Sequence, residues 1–142
     1  MNLFGKFFSG DSPFLRRYQD GQVILPQGYV LPALGVVQKG EVEVFQKTVD
    51  GEERILAVLA PQQCFGIHSL FEEAPRPSGV RACGPTEILL LDKIEFLRCI
   101  HQNPELAFVI LQQASQRINQ LTMELKDKSN PAPLPESARA IF

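Results

Sequence analysis

The sequence predicts a mainly β sandwich or barrel that ends in helices, and three observations carry the prediction. Between Gly21 and Asp92, short runs rich in Val, Ile and Leu are separated by Gly, Pro and Asp; Glu41-Val42-Glu43-Val44 alternates strictly; and Asp50-Gly51 stands between two such runs as a hairpin turn. Many short strands with frequent turns suit a sandwich or barrel better than the parallel sheet of an α/β protein.

Composition sets the outer bounds. A chain of 142 residues is long enough for one domain with its own core, and 44% apolar with 21% charged residues is the composition of a folded globular protein. A formal net charge of −2 gives the whole molecule no attraction for a polyanion. No apolar run approaches the roughly 20 residues that cross a bilayer, and the opening MNLFGKFF is interrupted by Gly5 and Lys6. The expectation is a cytoplasmic protein with no membrane partner. Three cysteines, Cys64, Cys83 and Cys99, form an odd set in apolar surroundings, which suits a reducing compartment, though the residues leave a Cys64–Cys83 pair open.

Residues 1–20 read as a helical lead-in, because Phe4, Phe7 and Phe8 and then Phe14, Leu15 and Tyr18 recur at three- and four-residue spacing around the turn signal SGDSP. Six β-type runs follow: QVIL, LGVV, EVEVFQK, RILAVLA, GVRAC and EILLLD. After Asp92, KIEFLRCIH reads as a short helix that stops before Asn103-Pro104. Asn103 then caps a second helix, with Pro104 in its first turn and Glu105 at its positive end. This helix is expected to reach about Lys128, and roughly 24 residues make about 36 Å.

Along it Ala107, Leu111, Ala114, Ile118, Leu121 and Leu125 follow a 4-3-4-3-4 spacing, the seam of a two-helix contact. Phe108, Val109 and Ile110 are expected to pack on the barrel. In the stretch QQASQRINQLTMELKDK, polar except along the seam, the pattern favours a homodimer through Leu111, Ala114, Ile118, Leu121 and Leu125. Residues 129–142 are proline-rich and read as a flexible tail.

One connection combines the parts of an anion site. In CFGIHSLFEEAPRPSGVRAC, Phe65-Gly66 opens a helical turn whose first N–H groups lack partners within the turn, and Arg76 offers a bidentate fork. The rival readings are a surface arginine and a long loop. Metal chemistry has less to stand on: Cys64 with His68, and Cys99 with His101, lack structural-zinc spacing, and the chain has only 2 histidines. Glu72 and Glu73 read as a solvated face rather than an acid/base pair, and no nucleophile has a base beside it, so no catalytic residue and no cofactor are assigned.

The order GQVILPQG, LGVVQKGEVEVFQ, CFGIHSLFEEAPRPSGVRAC and EILLLDKIEFLRCI, followed by a long helix, resembles the cyclic-nucleotide-binding domain of the catabolite activator protein family over about residues 18–128. The resemblance implies a β-roll (jelly-roll) domain over residues 21–128, whose long C-terminal helix pairs two subunits. It implies a non-enzymatic regulatory sensor that binds cyclic AMP or cyclic GMP and signals through a downstream protein partner. The alternative is an interaction scaffold that keeps the fold without the ligand. The family's phosphate-binding cassette falls on Gly66, Ile67, His68, Arg76, Pro77 and Ser78. Leu56 and Phe65 line the apolar side, and Leu121 and Thr122 take the positions that reach the purine.

Two cassette positions depart from the family. Ile67 stands where the family has a glutamate that accepts the ribose 2′-hydroxyl, and Pro77 stands where it has a small hydroxyl residue. An unmet ribose hydroxyl costs about 1–3 kcal/mol, a weakening of roughly 5- to 150-fold. Pro77 also lacks an N–H for the phosphate, with Ser78 offering hydroxyl and amide one position later. Some relatives carry a helix-turn-helix domain after the long helix; only 14 residues follow Lys128 here, so direct DNA binding is not expected.

Overall fold

The structure, a computed structural model, describes residues 13–127. Six strands build one antiparallel sheet: β1 (Leu15–Tyr18), β2 (Val23–Leu25), β3 (Leu34–Lys47), β4 (Glu53–Leu59), β5 (Cys64–Phe65) and β6 (Gly79–Leu91). Its path runs β1-β6-β3-β4, with β2 paired to β6 and β5 to β3. A 3-10 turn, Ile67–Leu70, follows β5; helices α1 (Lys93–Gln102) and α2 (Glu105–Asp127) follow β6. The mainly β architecture with C-terminal helices is the one expected.

The runs LGVV and EVEVFQK are one strand, β3, and GVRAC and EILLLD are one strand, β6. The register between them shifts on both sides of Lys39. Gly40 supplies the bend at φ +79°, where a Cβ would also run into the Pro85 carbonyl oxygen. Two long strands folding over together explain why LGVV is apolar without alternation. Leu34 and Val36 enter a helix-side cluster with Leu89, Leu91, Phe96 and Leu106, whereas Val37 and Val42 enter a second cluster with Ile24, Val80 and Ile88. A strand covered on both faces has no polar face to show.

The predicted hairpin is present between β3 and β4, closed by Thr48 N–H to the Glu52 carbonyl at 2.8 Å. Arg81 of β6 ties these strands together. Its Nε donates to Glu43 at 2.9 Å, its two terminal nitrogens to Glu53 at 2.7 and 2.8 Å, and its guanidinium lies 4.6 Å from the centre of the Phe45 ring.

The helical reading of residues 1–20 is corrected where the structure describes it. Leu15–Tyr18 is a strand, paired residue for residue with Leu89–Thr86, and residues 1–12 lie outside the described residues. Leu15 packs on the helix-side cluster and Tyr18 on the second one. Three-residue spacing therefore served two different cores rather than one helical face.

Helix α1 starts at a capping box, the Asp92 carboxylate accepting from the Glu95 N–H while the Glu95 carboxylate accepts from the Asp92 N–H. Asn103 and Pro104 separate it from α2, as the sequence predicts. In the first turns of α2, Leu106, Val109 and Ile110 are buried, but Phe108 is 69% exposed, contrary to its expected packing. Residues up to Ile110 form one compact unit; from Leu111 onward the chain belongs to a second unit, described by itself. Within that second unit Leu111, Leu121 and Leu125 are exposed, and Ala114 and Ile118 are half-buried. The proline-rich tail lies outside the described residues.

Candidate functional site

The connection from β5 to β6 is built around Gly66. It stands at φ +83°, and a Cβ there would strike the Ala33 carbonyl oxygen, so the turn both needs the left-handed conformation and leaves no room for a side chain. Ser69 holds this turn from within. Its buried hydroxyl donates to the Gly66 carbonyl at 2.6 Å and accepts from the Ala33 N–H at 3.2 Å. Leu70 then anchors the 3-10 turn in the helix-side cluster.

Arg76 faces the same turn. Its Nη2 lies 3.3 Å from the place a Cβ on Gly66 would take, and the residue is only 6% exposed. The backbone explains the inward aim: the Arg76 N–H donates to the Tyr29 carbonyl at 3.0 Å and its carbonyl accepts from the Gly28 N–H at 2.8 Å, locking the segment against the β2–β3 connection. The side chain is poorly satisfied. Nη1 donates to the Leu31 carbonyl at 3.3 Å, buried Nε has no partner, and among the described residues no carboxylate forms an ion pair with it. Burial pulls its pKa below the ordinary arginine value, yet a guanidinium stays charged at neutral pH. Among the described residues, a cation with five N–H donors thus lies buried with one long hydrogen bond.

The other candidate residues divide. Ile67 is half-buried and packs against the helix-side apolar cluster, while His68 is exposed. Pro77 is exposed and its carbonyl accepts from Gln46 Nε2 at 3.1 Å; Ser78 is half-buried. Phe65 is buried in the second cluster. Leu56 is 48% exposed and is the extra residue of a β-bulge, since β4 passes from Ala57 to Ile55 as β3 passes from Val44 to Phe45. In the second unit Leu121 is exposed, and the Thr122 hydroxyl donates to the Ile118 carbonyl at 2.8 Å, one turn earlier. Of the expected cassette, then, the structure brings Gly66 and Arg76 together.

Sequence reading missed Ser69, Gln46 and the Leu31 and Ala33 carbonyls. The carbonyls have no sequence signal, because the chain brings them to the site from the β2–β3 connection. Ser69 had a weak one, a hydroxyl three residues after a turn glycine.

Metal chemistry finds no support in the donor set. Among the described residues no three His, Cys, Asp or Glu side chains group as ligands. Burial pushes the Cys64 thiol up to about 11 and the Cys99 thiol up as well, away from the thiolate a metal requires. The three cysteines carry thiols rather than disulfides, which answers the Cys64–Cys83 alternative.

Residues 15–103 match the family described as the cyclic nucleotide-binding domain. The chain is 35% identical over 115 residues to the cyclic AMP receptor protein of Thermus thermophilus, a match covering 80% of this chain and 53% of the receptor. It is 40% identical over 80 residues to the potassium channel SKOR of Arabidopsis thaliana, covering 56% of this chain and 10% of the channel. The crystal structure of the Thermus thermophilus catabolite activator protein superposes with a TM-score of 0.68 at 31% identity, over 84% of this chain and 61% of that one. The chain thus spans about half the length of that receptor and a small part of the channel.

Proposed function

The chain belongs to the cyclic nucleotide-binding domain family, and from that premise we propose that it is a regulatory sensor module, not an enzyme, that holds cyclic AMP or cyclic GMP at Gly66, Arg76 and Ser78. The observation that supports this reading is the buried Arg76 guanidinium, without a carboxylate partner among the described residues, against the Gly66 turn. Burying a charge without a counter-charge costs several kcal/mol, and an anionic ligand seated against it would offset that cost. A cyclic phosphodiester fits: it carries one negative charge and two exocyclic oxygens, which match the two outer nitrogens of a guanidinium fork.

The module acts as a homodimer through Leu111, Ala114, Ile118, Leu121 and Leu125 and passes its state to a protein partner. The exposed leucines of that seam support the dimer. Ligand changes the output only by binding one arrangement of the dimer more tightly than another. We place the protein in the cytoplasm, in keeping with its three thiols. Among the described residues no helix is long and apolar enough to cross a membrane.

Titration calorimetry with cyclic AMP and with cyclic GMP tests the reading, repeated on Arg76→Ala. The expected result is saturable binding of at least one nucleotide, lost in the variant. No heat from either nucleotide with the unaltered chain leaves the scaffold alternative standing.

A further inference from the structure

Pro77 removes a backbone donor from the cassette, so the first amide after Arg76 able to meet an anion is that of Ser78. Two neighbours of this peptide are fixed by other parts of the fold. Arg76 has its N–H and carbonyl bound to Tyr29 and Gly28, and Gly79 is paired with Phe45 of β3. Between these points, among the described residues, one side chain is hydrogen-bonded to the Pro77–Ser78 peptide: Gln46, near the end of β3, donates Nε2 to the Pro77 carbonyl at 3.1 Å. No peptide among the described residues is cis. In a trans peptide the carbonyl and the N–H of one unit point in opposite directions, so drawing the Pro77 carbonyl toward Gln46 turns the Ser78 N–H away from it.

We infer that Gln46 is a positioning residue: by holding the Pro77 carbonyl it aims the Ser78 N–H at an anion oxygen beside Arg76, restoring the donor that proline removes. The inference rests on the proposed cyclic-nucleotide reading, which it deepens by naming what orients the second phosphate contact. Gln46 does not itself touch the ligand. Methionine at this position keeps the length of the side chain and loses the donor; glutamate keeps the shape and can only accept.

The test has a ligand-free arm and a ligand arm. In the ligand-free protein, the N–H residual dipolar coupling of Ser78, measured against those of core β6 amides, should change in Gln46→Met and in Gln46→Glu while the core amides keep theirs. An unchanged Ser78 coupling overturns the inference. In the ligand arm, cyclic AMP affinity should fall roughly 10- to 150-fold in Gln46→Met, the loss of one hydrogen bond to a charged group. The preference between the Rp and Sp phosphorothioate analogues should change as well, because a single donor serves a single exocyclic oxygen. Equal weakening of both diastereomers, or none, overturns the donor role. If the unaltered chain binds neither nucleotide, the functional reading fails, while the ligand-free coupling still decides whether Gln46 aims the amide.

Discussion

The Nη2 of Arg76 lies 3.3 Å from the point where a Cβ on Gly66 would stand, and that Cβ would also meet the Ala33 carbonyl oxygen. Gly66→Ala is therefore strained twice, by a left-handed backbone that costs an L-residue about 1–2 kcal/mol and by contact with a fixed backbone atom. The variant should lower the unfolding free energy obtained from urea denaturation by at least that amount and abolish cyclic-nucleotide binding. Unchanged stability would mean that the turn relaxes freely.

Arg76→Leu should act in the opposite sense on stability. Leucine is shorter than arginine but removes a buried, poorly bonded cation, and apolar replacement of buried ionic groups is often neutral or stabilising, by about 1–4 kcal/mol for ion pairs. Thermal melting should show an equal or higher midpoint, while nucleotide binding falls by at least about 100-fold, the loss of a charge-assisted contact worth roughly 3 kcal/mol. A large drop in melting temperature would assign Arg76 to the fold and not to the site.

Ile67→Glu sets packing against recognition. The new carboxylate can accept the ribose hydroxyl, so affinity should rise roughly 5- to 150-fold. Ile67 also packs on the helix-side cluster, and withdrawing a half-buried isoleucine should cost about 1–2 kcal/mol of stability. Calorimetry and denaturant unfolding read the two effects separately. A melting loss without an affinity gain would place the ribose away from residue 67.

Much of this was legible in the residues, and the reasons for the rest are physical. The β3–β4 hairpin, the α1–α2 break at Asn103-Pro104 and the Gly66–Arg76 pairing each left a local or family signal. The continuity of β3 through Gly40 did not, because a glycine at positive φ marks a turn and a bend inside a strand alike. The strand at Leu15–Tyr18 was hidden because its pairing partner lies some seventy residues away in β6. Ser69 and Gln46 act on backbone carbonyls, and a carbonyl has no letter in a sequence.

The seam of α2 makes a prediction about assembly. Leu121 is 41% exposed in the chain by itself, so aspartate there should leave the monomer's fold intact and penalise only a surface that is covered. Leu121→Asp should shift sedimentation velocity toward the monomer with an unaltered circular dichroism spectrum. An unchanged profile would remove Leu121 from the interface.

Glu53 provides a test by pH. Its hydrogen bonds from Arg81 hold its carboxyl below the ordinary glutamate value, with the nearby positive charges of Arg81 and Lys47 acting in the same sense. A carboxyl whose folded pKa is depressed contributes stability in full above its unfolded value, and loses it as pH falls through the folded one. Glu53→Gln should therefore be less stable than the unaltered chain at about pH 7, and the gap should close toward about pH 3 as the carboxylate protonates. The same gap should shrink in 1 M salt at neutral pH, because the pair is open to solvent. Urea midpoints of both proteins across that range decide the matter: a gap that persists in acid would trace the effect to packing of Arg81 on Phe45, not to charge.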